Sequence, residues 1–288
     1  TMIAPTTLAT IKSLCAQHHI RPTKALGQHF LINQRMLARI VEAAHLSPSD
    51  TVLEIGPGLG ILTAALASCV KKVIAVELDR NIIPALKEVV APYDNVTIVQ
   101  GDILKLPPTS YILPTTPYKL VANIPYDITG AILRKFLSCS PLPLSLTLMM
   151  QYAVAARIMA KPGDMSILAL AVRYAGTPTL VQKVAPQAFW PIPKVISAIV
   201  TIVPYATPRS TEAKPLFTLI KKGFSQKRKQ LSTTLREDTE VSKQEIEHLL
   251  HLINLNPRAR PQDLSLEDWE RFMRVFPGID VPRNTMVR

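Results

Sequence analysis

TVLEIGPGLG, residues 51–60, joins a short β-branched run to a turn in which every second residue is glycine. The run 51–55 has the length and the residue types of a buried strand. Glycine has no Cβ, so Gly56, Gly58 and Gly60 let the backbone turn tightly and come close to a ligand. The stretch therefore predicts a strand that ends in a turn binding a nucleotide-like ligand, although a tight strand-to-helix turn without a ligand would show the same glycines.

Beyond this turn, β-branched runs alternate with stretches of helical length and spacing. Continuous apolar runs are typical of strands buried on both faces of a parallel sheet. The predicted strands are TVLEI (51–55), KVIAVE (72–77), NVTIVQ (95–100), YKLVAN (118–123) and LSLTLMM (144–150), and the predicted helices are 60–68, 80–91 and 129–138. ILALAVRYA (167–175) and ISAIVTIVP (196–204) are predicted as strands that extend one sheet edge. The pattern predicts an α/β fold with a Rossmann-like, doubly wound sheet.

A Pro-, Ser- and Thr-rich segment, PYATPRSTEAKP (204–215), marks a predicted domain boundary. The residues after this segment have a helical pattern without clear strands. Ser242 precedes Glu245 by three residues and Ser265 precedes Asp268 by three, which are helix-start signals. The sequence thus predicts a catalytic domain over 1–206, with an N-terminal lid segment, and a small all-helical domain over 207–288.

The composition indicates a basic protein with room for one full core and a smaller second domain. The chain has 288 residues, 48% of them hydrophobic, and a formal net charge of +12 at pH 7. Such a field attracts polyanions, so nucleic acid is the leading partner class. A generic basic protein that its charge keeps in solution is the alternative on composition alone.

Cysteine usage and hydropathy exclude several other classes. Cys15, Cys69 and Cys139 are far apart and lack C-x-x-C spacing, which argues against a disulfide framework and a zinc site. No metal is therefore expected, and a reducing cytoplasm fits. The N-terminus lacks the basic and apolar regions of a signal peptide, and no stretch resembles a membrane span. We expect a cytoplasmic monomer without a membrane partner.

Two acidic residues come after the glycine turn, at the ends of later strands. Glu77 ends the second predicted strand, where a carboxylate can accept hydrogen bonds from a ribose diol. Asp102 comes after the third strand, where it can accept a hydrogen bond from an adenine amine. The spacing G-x-G-x-G differs from the dinucleotide fingerprint, and no phosphate-binding Lys or Arg is found nearby. A solvated strand-end acid and an ordinary turn Asp are the alternatives.

NIPY (123–126), directly after the fourth predicted strand, is the strongest single signal in the chain. An adenine exocyclic amine is a poor nucleophile because its lone pair is delocalised into the ring. Hydrogen-bond acceptors help it: the Asn123 side-chain oxygen and a peptide carbonyl near Ile124 and Pro125 can hold the amine hydrogens and direct the lone pair. Pro125 fixes the backbone, and Tyr126 offers a flat face to an extruded base. The motif predicts an amine-methylating pocket, whereas a simple strand-ending turn is its structural alternative.

Two further segments are candidates for the walls of this pocket. FWPIPKV (189–195) places Phe189 where it can close the other face of the base, unless it is a core aromatic in a rigid loop. KALGQHFLIN (24–33) precedes the sheet and has the mixed character of a lid over a cofactor. Taken alone, His29 within it would be interpreted as an ordinary partly buried histidine.

Six motifs in this order closely resemble the ribosomal RNA adenine dimethyltransferase family over nearly the whole chain. They are LGQHFL (26–31), EIGPGLG (54–60), VELD (76–79), GDIL (101–104), NIPY (123–126) and FWPIPKV (189–195). The resemblance implies a fold in which a Rossmann-like sheet binds S-adenosylmethionine. It also implies dimethylation of two adjacent adenosines in the hairpin loop near the 3′ end of small-subunit ribosomal RNA. The implied partner is an immature 30S-type subunit, with a late role in its assembly.

The resemblance assigns roles residue by residue. The implied cofactor-binding residues are His29, Leu31, Gly56, Gly58, Glu77, Asp102 and Asn123. The implied catalytic residues are Asn123, Pro125, Tyr126 and Phe189, with Tyr126 and Phe189 as the base-stacking pair. The family often has Asn at the position of His29, so this sequence departs from the family there.

A basic cluster in the tail, KKGFSQKRKQ (221–230), contains no acid and is the candidate for phosphate contacts. Its cations are Lys221, Lys222, Lys227, Arg228 and Lys229. A solvated helix face is the alternative interpretation.

Three other functions are compatible with parts of the pattern. A large-subunit adenine methyltransferase of the macrolide-resistance type shares the NIPY kind of pocket, but the longer helical tail and FWPIPKV favour the small-subunit enzyme. A non-catalytic assembly factor is disfavoured by Glu77, Asp102 and Asn123. A dehydrogenase is disfavoured by the glycine spacing.

Overall fold

The computed structural model describes residues 7–23, 27–111, 116–138, 140–206, 213–237 and 239–277, and the chain divides into two compact units. The first unit comprises Thr1–Ala156 and Gly176–Pro204, and the second comprises Arg157–Ala175 and Tyr205–Arg288. Half of the predicted linker, 207–212, lies outside the described residues, as do Cys139 and the first three residues of the lid segment.

The first unit is a mixed sheet with helices. Its strands are β1 (Phe30–Leu31), β2 (Thr51–Ile55), β3 (Lys72–Glu77), β4 (Val96–Gln100), β5 (Lys119–Asn123), β6 (Ser145–Gln151), β7 (Gly176–Val184), β8 (Phe189–Trp190) and β9 (Ser197–Pro204). Its helices are α1 (Leu8–Gln17), α2 (Gln34–Ala43), α3 (Ile61–Ala67), α4 (Ile83–Val90), α5 (Thr129–Phe136) and the larger part of α6 (Tyr152–Ile158). The five strands predicted between residues 51 and 150 and the three predicted helices are confirmed to within three residues at each end.

Seven strands form one sheet in the order β4-β3-β2-β5-β6-β9-β7. The strands β2 to β6 are parallel, and β9 is antiparallel to both of its neighbours. The chain runs outward from β2 to β4 and then returns to begin the other half at β5. Ligands in such sheets bind at the carboxyl ends of the strands where the order reverses. In this protein that point lies between β2 and β5.

The remaining two strands, β1 and β8, form a separate antiparallel pair. Phe30 is opposite Trp190 and Leu31 is opposite Phe189. The pair joins the N-terminal segment to FWPIPKV, although about 160 residues separate the two in the sequence. Both predicted wall segments are therefore held together by backbone hydrogen bonds.

The second unit is all-helical within the residues described, which confirms the predicted helical tail. Its helices are α7 (Ile167–Ala175), α8 (Ala213–Gly223), α9 (Leu231–Glu237), α10 (Lys243–Leu252) and α11 (Leu266–Val275). Trp269 is completely buried in its core. Ser242 and Ser265 cap α10 and α11 as predicted, and the Ser265–Asp268 pair forms a reciprocal capping box.

The prediction of a strand over 167–175 is wrong, because this run is helix α7. Ala169 and Leu170 are buried in the core of the second unit. A short apolar run shows too little periodicity to separate a helix from a strand. The strand at that sheet edge is the next segment, β7. Because 167–175 is a helix that packs into the helical core, residues 157–175 belong to the second unit, and the observed division differs from the predicted single boundary after residue 206.

None of the helices in the described part of the chain combines the length and the apolar character that crossing a membrane requires. Over the same ranges, no group of three or more His, Cys, Asp or Glu side chains is placed to hold a metal ion.

Candidate active site

An open cavity lies at the carboxyl ends of β2, β3, β4 and β5, at the reversal point of the sheet. The empty space within it, including the solvent at its open mouth, is about 1120 Å³. The lining includes nine of the predicted site residues: His29, Leu31, Gly56, Gly58, Glu77, Asp102, Asn123, Pro125 and Tyr126. Sequence motifs spread over about 100 residues thus meet at one site.

The glycine turn after β2 has the backbone conformation that favours glycine. Gly56, Gly58 and Gly60 have φ values of 65°, 56° and 82°. A Cβ on Gly58 would lie 3.3 Å from the Phe30 ring, and one on Gly60 would lie 2.7 Å from Leu86 in α4. The positive φ favours glycine at both positions, and a Cβ would in addition crowd the lid segment at Gly58 and α4 at Gly60.

Glu77 ends β3 and is held by the turn that it faces. Its Oε2 accepts the Gly58 N–H at 3.0 Å and its Oε1 accepts the Asp79 N–H at 2.8 Å. The carboxylate is 6% exposed, and burial raises its pKa. Each carboxylate oxygen has a second lone pair, so Glu77 can brace the turn and still accept bonds from a ligand diol.

Asp102 lies one strand further along the same edge. Its Oδ1 accepts the Leu104 N–H at 2.9 Å, and its Oδ2 lies 3.6 Å from the amine of the exposed Lys105. The loop that carries Asp102 is fixed from below by Lys135, whose amine donates to the carbonyl of Ile103 at 2.6 Å. Asp102 lines the cavity, and its side chain is 29% exposed.

Asn123 is oriented by the lid segment. Its Nδ2 donates to the main-chain carbonyl of His29 at 3.2 Å. Because that carbonyl can only accept, the amide must turn its nitrogen toward His29 and its Oδ1 away from it. The backbone carbonyl of His29 therefore fixes the orientation of the Asn123 oxygen, which is the predicted acceptor for the target amine.

The rest of the NIPY turn is held from both sides. The Pro125 carbonyl accepts the Ile128 N–H at 3.3 Å, which leaves the Ile124 carbonyl as the better candidate acceptor for a substrate amine. The Tyr126 hydroxyl is hydrogen-bonded to the Ser197 hydroxyl at 2.8 Å, and burial raises the pKa of Tyr126. Tyr126 is half-buried, so part of its ring can still face a ligand.

Phe189 is not placed as its predicted role requires. Its ring is completely buried in the hydrophobic core and is absent from the cavity lining. It packs as the strand partner of Leu31 in the β1–β8 pair. In this arrangement Phe189 supports the cavity wall and offers no face to a base, which corresponds to the core-aromatic alternative.

Sequence reasoning missed several residues that line the cavity. Leu78 is an apolar side chain that is 54% exposed, and Ile103 lies on the next loop beside Asp102. Together they offer apolar surfaces beside the two strand-end acids. The signal was available, since each of them directly succeeds one of the two acids that the sequence predicts for the site.

Glu54 is an acid that the sequence reasoning also missed, and it lies inside the buried strand β2. It is 1% exposed, and its Oε2 has no hydrogen-bond partner within the described part of the chain. Burial raises its pKa to about 8. The available signal was the charged residue Glu54 within an otherwise uncharged run, 51–55, that predicts a buried strand.

Gln28 ties the lid segment to the loop after β3. Its Nε2 donates to Asp79 Oδ2 at 2.8 Å, and its Oε1 accepts the Thr23 N–H at 2.9 Å. Asp79 lies two residues beyond the acid that ends β3. In addition to the β1–β8 pairing, the lid segment is thus attached to the NIPY turn through Asn123 and to the loop after β3 through Asp79.

The predicted basic cluster lies in the second unit. Lys221, Lys227, Arg228 and Lys229 are exposed and Lys222 is half-buried. The nearby loop adds exposed Arg258 and Arg260, since the Leu231 N–H donates to the Ala259 carbonyl at 2.8 Å. The basic surface of this unit is therefore larger than the predicted cluster.

The sheet order and the strand-end residues around this cavity define a Rossmann-like methyltransferase. Two solved structures are similar to nearly the whole chain. One is a dimethyladenosine transferase from Plasmodium falciparum, with a TM-score of 0.73 and 29% identity over 84% of this chain and 95% of that chain. The other is the 23S rRNA methyltransferase ErmE, with a TM-score of 0.69 and 28% identity over 85% and 98%.

The chain belongs to the ribosomal RNA adenine dimethylase family, whose model matches residues 20–276. Relatives named ribosomal RNA small subunit methyltransferase A include those of Dehalococcoides mccartyi and Nostoc punctiforme. The first is 42% identical over 96% of this chain and 95% of its own length, and the second is 38% identical over 87% and 93%. The predicted family and fold class are confirmed.

Proposed function

We propose that this protein transfers methyl groups from S-adenosylmethionine to the exocyclic amines of two adjacent adenosines in the 3′-terminal hairpin loop of small-subunit ribosomal RNA. The observation that carries the proposal is the hydrogen bond from Asn123 Nδ2 to the His29 carbonyl, which turns the amide oxygen of this cavity-lining residue away from His29 and leaves it for a substrate amine. We further propose that the reaction belongs to late assembly of the small subunit.

The residues around the cavity fit S-adenosylmethionine, which when bound supplies an electrophilic methyl group on a sulfonium. Glu77 can accept the ribose hydroxyls and Asp102 the adenine amine, with Leu78 and Ile103 beside the purine. Glu54 lines the cavity with a buried oxygen that has no partner among the described residues, and a bound sulfonium would favour the ionised form of this carboxyl. His29, Leu31, Gly56 and Gly58 complete the surface, as the resemblance implies.

On the substrate side, the residues act by position and electrostatics. Asn123 Oδ1 and the Ile124 carbonyl accept the two amine hydrogens of the target adenine, which directs the nitrogen lone pair toward the methyl donor. Pro125 holds that carbonyl in place, and Tyr126 supports the base by stacking. The adenine nitrogen attacks as the neutral amine, so no general base has to remove a proton before transfer, and the extra proton that the nitrogen carries afterwards is lost to solvent.

The decisive experiment incubates the protein with unmethylated small subunits and a labelled methyl donor and maps the modified nucleotides. We expect dimethylation of two adjacent adenosines in the 3′-terminal hairpin loop. Labelling of large-subunit RNA would instead support the macrolide-resistance type of enzyme. The similarity to the 23S rRNA methyltransferase ErmE is the observation that favours this alternative. Particle binding without any methyl transfer would support a non-catalytic assembly factor.

Glu77→Gln is expected to weaken cofactor binding by at least tenfold. Its amide can replace only one acceptor oxygen, so it opposes an N–H donor of Gly58 or Asp79 and loses charged hydrogen bonds worth roughly 1.5–3 kcal/mol each. Titration calorimetry with S-adenosylmethionine measures the change. The matched control is Glu42→Gln, the same change at an exposed position of α2. Equal affinities for both variants would remove Glu77 from the cofactor site.

We propose that the second unit binds RNA through the basic cluster. We also propose that the first unit, which contains the sheet, is the catalytic domain. In the triple variant Lys227→Ala, Arg228→Ala, Lys229→Ala, the plot of log affinity against log salt should become less steep by about 2 to 3. The reason is that each phosphate contact releases a counterion. Filter binding to small-subunit RNA at several salt concentrations measures this slope. The control removes three exposed lysines of the first unit, Lys71, Lys72 and Lys87. An equal loss of slope in the control would indicate a general charge effect and no specific contact.

A further inference from the structure

The turn after β4, residues 101–106, is closed by its own hydrogen bonds. Asp102 Oδ1 accepts the Leu104 N–H at 2.9 Å, and the Asp102 carbonyl accepts the N–H groups of Lys105 and Leu106, both at 2.9 Å. The same pattern of side-chain and main-chain acceptors is found where an Asp begins a helix. The position of the Asp102 carboxylate is therefore tied to the rest of this segment, which we call the Asp102 turn.

Carbonyl groups of the Asp102 turn converge on one cation. Lys135 Nζ donates to the Ile103 carbonyl at 2.6 Å, to the Leu104 carbonyl at 3.4 Å and to the Leu106 carbonyl. An ammonium group has three hydrogens and can only donate, so three carbonyls match its capacity. Because carbonyls at the end of a helical turn carry partial negative charge, the cation also stabilises the turn electrostatically.

The helix that carries Lys135 is held in place by the core. Lys135 is half-buried in the last turn of α5, and its neighbours Leu133 and Phe136 are 1% and 0% exposed. The helix begins at Thr129, three residues after the NIPY turn (123–126). The Asp102 turn is thus held by an element that starts beside the residues proposed for the target amine.

Lys135 acts on the cavity without lining it. Gly101, Asp102 and Ile103 are among the described residues that line the cavity, and Lys135 is not. Removal of its ammonium would therefore leave every lining side chain present and would change how firmly the Asp102 turn is held.

We propose that Lys135 is a positioning residue for recognition of the cofactor's adenine. By holding the carbonyls of the Asp102 turn, it keeps the Asp102 carboxylate where this group accepts the exocyclic amine. It thereby contributes to the preference for adenine over a purine that carries an oxygen in place of that amine. The inference rests on the proposed function, which assigns Asp102 to the adenine amine.

The test compares two ligands that differ only in the purine. They are S-adenosylhomocysteine and S-inosylhomocysteine, in which an oxygen replaces the amine. Titration calorimetry measures the affinity of both ligands for the unmodified protein and for Lys135→Met, which keeps an unbranched apolar stem and removes the ammonium. Arg134→Met is the matched control, because Arg134 is the adjacent cation on α5 and is exposed.

The expected result is a loss of selectivity. A hydrogen bond to a charged acceptor corresponds to about 10- to 100-fold in affinity, so the unmodified protein should prefer the adenosyl ligand by that factor. Lys135→Met should lower this preference by about 5- to 10-fold, mainly by weakening the adenosyl ligand. Arg134→Met should leave it within about twofold. In an Asp102→Ala background, Lys135→Met should not change the preference further, because the carboxylate that it positions is gone.

Three results would overturn the inference: a preference in Lys135→Met equal to that of Arg134→Met, an equal loss of affinity for both ligands, or the same change in the Asp102→Ala background. If Lys135→Met does not fold, Lys135→Gln takes its place, since its amide keeps a donor for the carbonyls. Its preference should lie between those of the unmodified protein and Asp102→Ala, and an unchanged preference would count against Lys135.

The unmodified protein tests the proposed function separately. If it binds the adenosyl ligand no better than the inosyl ligand, the assignment of Asp102 fails and this inference fails with it. If it shows the preference but does not methylate small subunits, the proposed substrate fails and the variants still decide on Lys135. If it does both and Lys135→Met keeps the full preference, only the inference on Lys135 fails.

Discussion

Asn123→Ala is expected to lower the rate of methyl transfer by about 100- to 1,000-fold, the usual cost of removing one preorganised electrostatic partner of a reacting group. Asn123 lines the cavity, and the His29 carbonyl holds its amide nitrogen, so that the amide oxygen is turned away from His29. Without that oxygen, the adenine amine loses an acceptor and its lone pair is no longer directed. Single-turnover kinetics on unmethylated small subunits measures the effect.

Cofactor affinity should change far less in the same variant. The alanine also releases one neutral hydrogen bond to the lid, worth about 1 kcal/mol, so a rise in the dissociation constant of up to about fivefold is expected. Asn81→Ala, on an exposed residue just before α4, controls for the loss of an amide. A rate equal to that of the control would exclude Asn123 from the reaction. A rate loss matched by an equal loss of cofactor binding would place it in the cofactor site alone.

The sheet could be predicted from the sequence because its central strands carry their own signal. The run 51–55 is buried on both faces, so nearly every position had to be apolar, and the glycines after it mark the turn. The carboxyl edge of the sheet then places Glu77, Asp102 and Asn123 around one cavity, since parallel strands end at the same edge. Residues at strand ends were therefore predictable as a group.

Helix α7 and strand β7 were harder to distinguish. The segment 167–175 is apolar at nearly every position, so its sequence alone does not separate a helix from a strand, although only Ala169, Leu170 and Val172 are buried. The run 176–184 contains Gly176 and Pro178, which weaken a strand pattern, but it lies at the sheet edge where such residues are tolerated. Helix α7 packs into the core of the second unit and β7 pairs with β9, so tertiary context, and not local propensity, decided both segments.

The pairing of β1 with β8 could not be predicted, and it determines where the pocket walls lie. Phe189 is a strand neighbour of Leu31 with its ring in the core, whereas His29, one residue before β1, faces the cavity. Side chains alternate between faces along a strand, so a shift by one residue exchanges wall and core. The sequence showed which motifs form the pocket but not which of their aromatic rings face it.

Glu54→Gln is expected to remove a large part of the pH dependence of stability. Burial raises the pKa of Glu54 to about 8 from an ordinary 4.5. Between these two values the unfolded chain ionises the carboxyl while the folded chain keeps it protonated. The folded protein then binds more protons, so its stability falls as pH rises from about 4.5 to about 8. The loss amounts to on the order of 5 kcal/mol at the upper end of that window.

Urea unfolding at pH 5 and at pH 8.5 tests this, because glutamine is neutral at both. The variant should be close to the unmodified protein at pH 5 and more stable than it at pH 8.5, since only the unmodified chain must bury an ionisable carboxyl. Thr63, whose hydroxyl oxygen is buried and unpartnered within the described residues, can accept from the new amide. Glu42→Gln is the control, as that carboxyl is exposed and its change should be the same at both pH values. A constant difference between Glu54→Gln and the unmodified protein at the two pH values would show that Glu54 does not titrate within this window.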